Sequence, residues 1–454
     1  MKNKIKILRI LIVMCAGIFY HSCTGILDEK PDKALITPTT VAELWAMLDN
    51  NLQVMNQEPS QLDPSSDDVL ILDSRLATLD EDLIRLYTWS PEPINTALNT
   101  DWSRPYEQVL FANVVLSELE NFPSIEKNQQ DWKALKGSAL FYRAYAFFSL
   151  ARSFCLGYNS ATADNTPGLV LRLEPAIDLP LGRSTLKQTF DQILEDLENS
   201  LPLLNTQAPA KTRPSKAASY ALLSRVYLYM GDFERSLSAS NSALSIKNTL
   251  LDYNTVSASP ARPFVGKLDE VIFYSELTLR TYYFFSAGSA VAPELIEKYD
   301  PNDLRLSLFY SNRAGFKAFR GQYSYLLNPF GGLAVDELLL NKAECLARIG
   351  KDSEAMTVLN ELLIKRYKTG TFKEMKGLEQ GVLLQKILDE RRKELVLRGI
   401  RWGDIKRLNL QGESIELSRM VNGSEIRLPV NDPRYALEIP REEIDRSGIV
   451  QNPR

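Results

Sequence analysis

Between Tyr220 and Leu244, the residues Tyr220, Leu223, Ser224, Tyr227, Gly231, Phe233, Ser236, Ala243 and Leu244 fall in the order and spacing of a tetratricopeptide repeat. In such a unit small residues let two antiparallel helices close up, large ones interlock between them, and here Gly231 with Asp232 makes the turn. A second unit runs from Leu339 to Leu362, with Ala343, Leu346, Gly350, Ala355 and Leu359 at matching offsets. The two turn glycines stand 119 residues apart, so the repeats are not contiguous and something is inserted between them.

Other stretches carry the same helical period. Trp132, Leu135, Ala139, Tyr142, Ala146, Ser149 and Leu150 step by threes and fours, and behind a Ser184 cap Leu186, Phe190, Ile193, Leu194, Leu197 and Leu201 mark an amphipathic helix. Thr40-Val41-Ala42-Glu43 reads as a capping box opening a helix through Leu44, Met47 and Leu48. From Asn56 to Asn99, prolines, serines and acids break the pattern, and mostly loop is expected. Gln385 to Arg398 reads as a charged helix closed by Gly399. Asn422-Gly423 marks a type I′ turn between short strands, Ile415 to Val421 and Ser424 to Val430. The fold class expected is mainly α: tetratricopeptide-like helical repeats forming one scaffold, with an irregular loop-rich insertion and a small β-hairpin.

The amino terminus adds a topological constraint. Lys2, Lys4, Lys6 and Arg9 precede eleven nearly apolar residues, Ile10 to Tyr20, and then Cys23. Eleven residues match the core of an export signal and fall far short of the roughly 20 that span a bilayer. Residues 1–22 are therefore read as a lipoprotein signal peptide, Cys23 as the lipidated first residue, and 23–38 as a tether. The remaining divisions are 39–247, an amino-terminal helical region; 248–332, the loop-rich insertion and candidate ligand-binding face; and 333–454, a carboxy-terminal region.

The formal charge is −4 at pH 7. Residues 1–22 hold four basic groups and no acid, so the mature chain is four units more negative and has no general affinity for nucleic acid. The only histidine, His21, goes with the signal. Its loss removes Ser-His-Asp and Cys-His nucleophiles, HExxH zinc sites and any base of naturally neutral pKa. Cys155 and Cys345 lie in apolar helical patterns and read as buried thiols.

Two charged clusters could carry chemistry. Glu390, Arg391, Glu394, Arg401 and Asp404 could imitate a paired-carboxylate glycosidase site. Glu390 and Glu394 each lie within a turn of an opposite charge, Lys386 and Arg398, which favours a structural ion network. Asp67 and Asp68, beside Ser65 and Ser66, could touch calcium, but such a site needs about 6–8 oxygens. No metal and no cofactor is expected.

Several segments resemble the SusD/RagB outer-membrane lipoproteins of Bacteroidetes. They are Cys23 to Pro31 (CTGILDEKP), Trp102 to Asn113 (WSRPYEQVLFAN), Lys136 to Phe148 (KGSALFYRAYAFF) and Gln188 to Leu197 (QTFDQILEDL). The Leu388 to Leu395 helix followed by Gly399 to Arg407 (GIRWGDIKR), and the ending Ile439-Pro440-Arg441-Glu442-Glu443-Ile444 with Gln451-Asn452-Pro453, resemble its later signatures. Leu408 stands where a tryptophan is frequent. The resemblance implies a non-catalytic, lipid-anchored outer-membrane protein, exposed at the cell surface. It would capture an oligosaccharide, or in some branches an oligopeptide, as the lid of a TonB-dependent SusC-like transporter.

Sugar rings stack their C–H faces on aromatic side chains. Trp45, Trp102, Trp132, Tyr142 and Tyr227 lie on helical stripes and read as core. The substrate-binding candidates lie outside regular helices: Trp89, beside Pro91 and Pro93; Tyr282, Tyr283 and Phe285 in the insertion; then Arg320, Tyr323 and Tyr325. Two other readings stay open at this level, a tetratricopeptide scaffold lipoprotein of the envelope and a helical glycoside hydrolase.

Overall fold

The two repeat units form as their spacing requires. Helices α1 (Lys216–Met230) and α2 (Phe233–Ile246) meet at Gly231, whose φ of +80° gives the left-handed cap that glycine adopts without strain. The Asp232 side chain accepts the Arg235 N–H and starts the second helix. The other pair, α3 (Val335–Arg348) and α4 (Asp352–Leu363), turns at Gly350 with φ +78°. Although distant in sequence, the repeats are adjacent in space, because α2 packs directly on α3.

The computed structural model describes residues 38, 40–123, 127, 129–176, 181–266, 269–278, 288–324 and 327–454. Two compact units divide the chain. Residues 38 and 40 are the described part of the first, Met1–Thr40, and Val41–Arg454 is the second. The signal, Cys23 and most of the tether lie outside the described residues, as do Tyr282, Tyr283, Phe285 and Tyr325.

Upstream of the repeats the unit is a relay of long helices. Helix α5 (Asn99–Glu120) packs on α6 (Gln130–Phe154), α6 on α7 (Leu186–Ser200), and α7 on α1. From Gly137 to Phe154 every residue of α6 is buried, so this helix is enclosed on all sides rather than amphipathic. The α7 cap is Thr185, not Ser184. Thr185 and Gln188 form a reciprocal capping box, while the Ser184 hydroxyl pairs with Thr189. Cys155 and Cys345 are both buried free thiols. Among the described residues no helix is long and apolar enough to cross a membrane.

Short strands sew the segment between the repeats onto the amino-terminal part. Gln57–Glu58 runs parallel to Glu276–Leu277, and Val69–Ile71 antiparallel to Ser289–Val291. Val271–Phe273 pairs with Leu333–Ala334, and Tyr310–Arg313 folds back on Phe316–Phe319. Near the carboxy terminus Leu417–Val421 and Ser424–Leu428 make the hairpin, with positive φ at both Asn422 and Gly423 as a type I′ turn needs.

The segment expected as loop, Asn56 to Asn99, differs most. It contains short helices Leu62–Ser65, Asp73–Leu76 and Glu81–Tyr87, and Ser60 to Ser66 is entirely buried. Its polar residues satisfy interior partners instead of water. Asp101 accepts the Ser60 and Gln61 N–H groups at 2.9 and 2.8 Å, and both Asp63 oxygens accept the Gly399 N–H.

Burial pushes the Asp63 carboxyl up to about 8, helped by the neighbouring Asp68 charge and opposed by the Gly399 N–H. The folded chain then holds a proton that the unfolded chain releases near 3.8, so this group's stabilisation weakens as pH rises from there to about 8. Urea unfolding of wild type and Asp63→Asn across that window should show the decline reduced in the variant. An equal decline in both would exclude Asp63 as its source.

Candidate functional site

The charged helix is built as structure, not chemistry. Helix α8 (Gln380–Glu394) begins and ends earlier than its sequence pattern indicates, because Leu397 and Gly399 turn the chain with positive φ into α9 (Arg401–Leu410). Arg391 pairs with Asp404 at 2.8 Å, and Arg407 bridges Asp404 and Glu344. Asp404 is held down to about 2; the Arg391 and Arg407 charges outweigh burial, the largest single influence, which raises it. A carboxylate so committed makes a poor proton donor near neutral pH.

Glu390 pairs with Lys386 as expected. Glu394 does not pair with Arg398, which turns instead to Asp336 at 2.7 Å. The partners of Glu394 are Arg305 and Arg366, two fully buried arginines that helical spacing could not reveal, since both come from outside α8.

Among the described residues, Glu270, Asp336 and Glu394 form one acidic triad with oxygens within 4.8 Å of one another. Arg366, Arg398 and Arg305 neutralise all three, which makes it an ion-pair node. Asp67 and Asp68 are likewise engaged, by Arg401 at 2.8 Å and Arg392 at 2.7 Å respectively.

The described ligand candidates fall in three places. Trp89 is buried, 4% exposed, at a φ of +50°. Its indole N–H donates to the Ser65 carbonyl at 2.8 Å, and the Arg419 guanidinium lies over its ring at 4.3 Å and over Tyr87 at 3.7 Å. Proline neighbours signalled a break in the helix, but not that the break turns inward. Trp89→Ala is therefore expected to cost about 3–5 kcal/mol of stability, read from urea unfolding.

Tyr323 is buried too, its hydroxyl between Tyr253 and Glu270 and its ring under Arg398 at 4.6 Å. In this conformation both of these substrate-binding candidates are packed into the interior, and neither Trp89 nor Tyr323 offers a face to a sugar. Arg320 is half-buried and spends its guanidinium on the carbonyls of Ala258, Pro260 and Ser307, pinning loops together. Tyr282, Tyr283 and Phe285 fall between two described anchors, Thr278, whose N–H donates to Glu58 O, and Gly288, whose carbonyl accepts the Leu72 N–H. Trp45, Trp102, Trp132, Tyr142 and Tyr227 are all buried, as their stripes require.

An open cleft of about 540 Å³ runs along α5, a feature that residue spacing alone does not reveal. Trp102, Tyr106, Val109, Leu110 and Asn113 follow one helical face and form its wall, with Val170 and Leu181 opposite. Arg172, Glu174, Glu107, Glu443 and Arg446 bring charge to it. Tyr106 is half-buried, 4.8 Å from the Trp102 ring, and its hydroxyl donates to Val170 O at 3.1 Å. Asn113 donates to the carbonyls of Arg172 and Glu174 and accepts from Arg143, which fixes the opposite wall. An apolar wall with an aromatic face and a few convergent polar groups, at this volume, suits a small organic ligand.

Comparison with known proteins agrees with this architecture. A family model described as "Starch-binding associating with outer membrane" matches residues 26–228, and the "SusD family" model matches 336–454, together most of the chain. "SusD-like protein P2" of Formosa agariphila is 23% identical over 419 residues, covering 78% of this chain and 79% of that protein. A SusD superfamily protein from Bacteroides thetaiotaomicron VPI-5482 superposes with a TM-score of 0.75 at 22% identity, covering 91% of this chain and all of the other. A protein described as a sugar-binding protein of Bacteroides vulgatus ATCC 8482 superposes with 0.76 at 22% identity, over 92% and 99%. The chain therefore belongs to the SusD family.

Proposed function

We propose that this protein is a non-catalytic glycan-binding lipoprotein of the outer membrane, anchored through Cys23 and exposed at the cell surface. It acts as the capture subunit and lid of a TonB-dependent SusC-like transporter. Family membership carries the reading, because both matched regions are SusD models and one of them is described by starch binding and outer-membrane association. The absence of histidine from the mature chain and the engagement of Glu390, Glu394 and Asp404 by arginines and lysines support binding over turnover.

The ligand is proposed to stack on Tyr282, Tyr283 and Phe285, with Tyr325 as a further candidate. These aromatics remain after Trp89 and Tyr323 are assigned to packing, and Tyr282, Tyr283 and Phe285 fall in sequence between Thr278 and Gly288, each hydrogen-bonded to the amino-terminal part. The α5 cleft is the second location, favoured by its aromatic wall and volume. A lid requires a rigid body and a tether, and the enclosed helix α6 with its ion-pair network supplies the body.

A pull-down of the lipidated protein from detergent-solubilised envelopes tests the partnership. The expected result is co-recovery of a large β-barrel with plug and barrel domains. Recovery of soluble envelope factors alone would favour the scaffold reading and sink the lid.

A further inference from the structure

Where α6, α1 and α9 meet, a small cavity of about 20 Å³ lies wholly among buried residues. Four arginines line it: Arg152 from α6, Arg225 from α1, Arg391 from α8 and Arg407 from α9. Asp404 is the one carboxylate in the lining. The other acids that balance these arginines stand behind them: Glu58 on Arg152, Glu337 on Arg225 and Glu344 on Arg407. The lining itself thus presents four cations and one anion, with the remaining balancing carboxylates set one layer back.

Three lining residues keep a donor with no protein partner: Nε of Arg152, one terminal nitrogen (NH1) of Arg225, and the Tyr229 hydroxyl. All three residues are at most 4% exposed. Elsewhere on each guanidinium, the two terminal nitrogens of Arg152 donate to Glu58 and the Gly399 carbonyl, and Arg225 donates to both oxygens of Glu337 and the Gly332 carbonyl. Leaving three buried donors of this kind unmet, two of them cationic, is costly. The volume suits one small sphere and excludes a sugar, a phosphate or a carboxylic acid.

We propose that this cavity is a structural binding site for a single small monovalent anion of chloride size, held by Arg152, Arg225 and Tyr229. The ion ties the first repeat helix to the enclosed helix α6 at one point, and gives the three unmet donors a single acceptor. Gly403 makes the room. A β-carbon there would lie 3.4 Å from Tyr229 Cε2 and 3.6 Å from Arg152 Cδ, within the same gap.

Thermal unfolding of the full chain in sodium chloride and in sodium gluconate at equal ionic strength reads the site, since gluconate is too large to enter. Wild type should unfold about 3 °C higher in chloride at saturation. Tyr229→Phe, which keeps the ring and removes the donor, and Gly403→Ala, which occupies the gap, should both lose most of that difference. Bromide exchanged into crystals of the wild-type protein should give an anomalous peak between Arg152, Arg225 and Tyr229. Equal midpoints in the two salts, with density there but no bromide signal, would mean that the cavity holds water only and would overturn the proposal. A chloride effect identical in wild type and both variants would place the anion elsewhere and overturn it equally.

Discussion

Arg305→Met should destabilise the protein by about 3–5 kcal/mol, as urea unfolding at pH 7 would read it. Arg305 is fully buried and forks onto three carboxylates, Asp303 at 2.7 Å, Glu390 at 2.6 Å and Glu394 at 2.8 Å. With the guanidinium gone, Lys393 and Lys386 still face Glu390 and Arg366 still faces Glu394. Asp303 keeps the backbone N–H of position 305 at 3.0 Å and, as its one cation, Lys393 at 3.9 Å, so a buried carboxylate loses its close ion pair. Arg305→Lys should fall between, because an ammonium keeps the charge but cannot fork to three acids. A loss below about 1 kcal/mol for the methionine variant would mean that the network contributes little to holding α8.

Tyr283→Ala should weaken a glycan identified by array screening by about 2 kcal/mol, roughly 30-fold in Kd, with thermal stability unchanged. The physical reason is that an aromatic ring stacked on a sugar supplies most of the apolar contact to its C–H face, which alanine cannot replace. Tyr106→Ala measures the α5 cleft in the same titration. A 30-fold loss there with Tyr283→Ala silent would move the binding face to α5. Trp89→Ala supplies the contrast, since its main effect should fall on unfolding and not on Kd per folded molecule.

The parts of this fold that could be read from sequence are those governed by local periodicity. The Gly231 and Gly350 turns, the α6 and α7 stripes and the Asn422-Gly423 hairpin each depend on residues within a few positions of one another, and each forms as expected. The stretch after Asn56 fails the same test because its order is imposed from afar: Asp63 receives the N–H of Gly399, and Arg419 caps the carbonyls of Pro64, Ser66 and Tyr87. Polar residues that read as solvated loop are interior partners here.

Among the site candidates the difficulty is similar. Trp89 looks free because proline and serine surround it, yet its ring is stacked under Arg419, a residue more than three hundred positions away. Tyr323 is drawn inward by Tyr253 and Glu270. The α5 cleft needs a partner wall at Val170 and Leu181 and a cap from Arg441–Ser447, none of which helical spacing on Trp102 and Tyr106 can announce. The signature helix carries an ion-pair network, as its charge pattern implies, but Glu394 takes Arg305 and Arg366 from distant segments in place of Arg398.

The most direct test of glycan capture without catalysis is calorimetric titration of the purified protein with the oligosaccharide its array screen selects. The account predicts saturable, stoichiometric heats that return to baseline after each injection, with the oligosaccharide recovered intact. Sustained heat from turnover, or no saturable binding by any oligosaccharide, would contradict it.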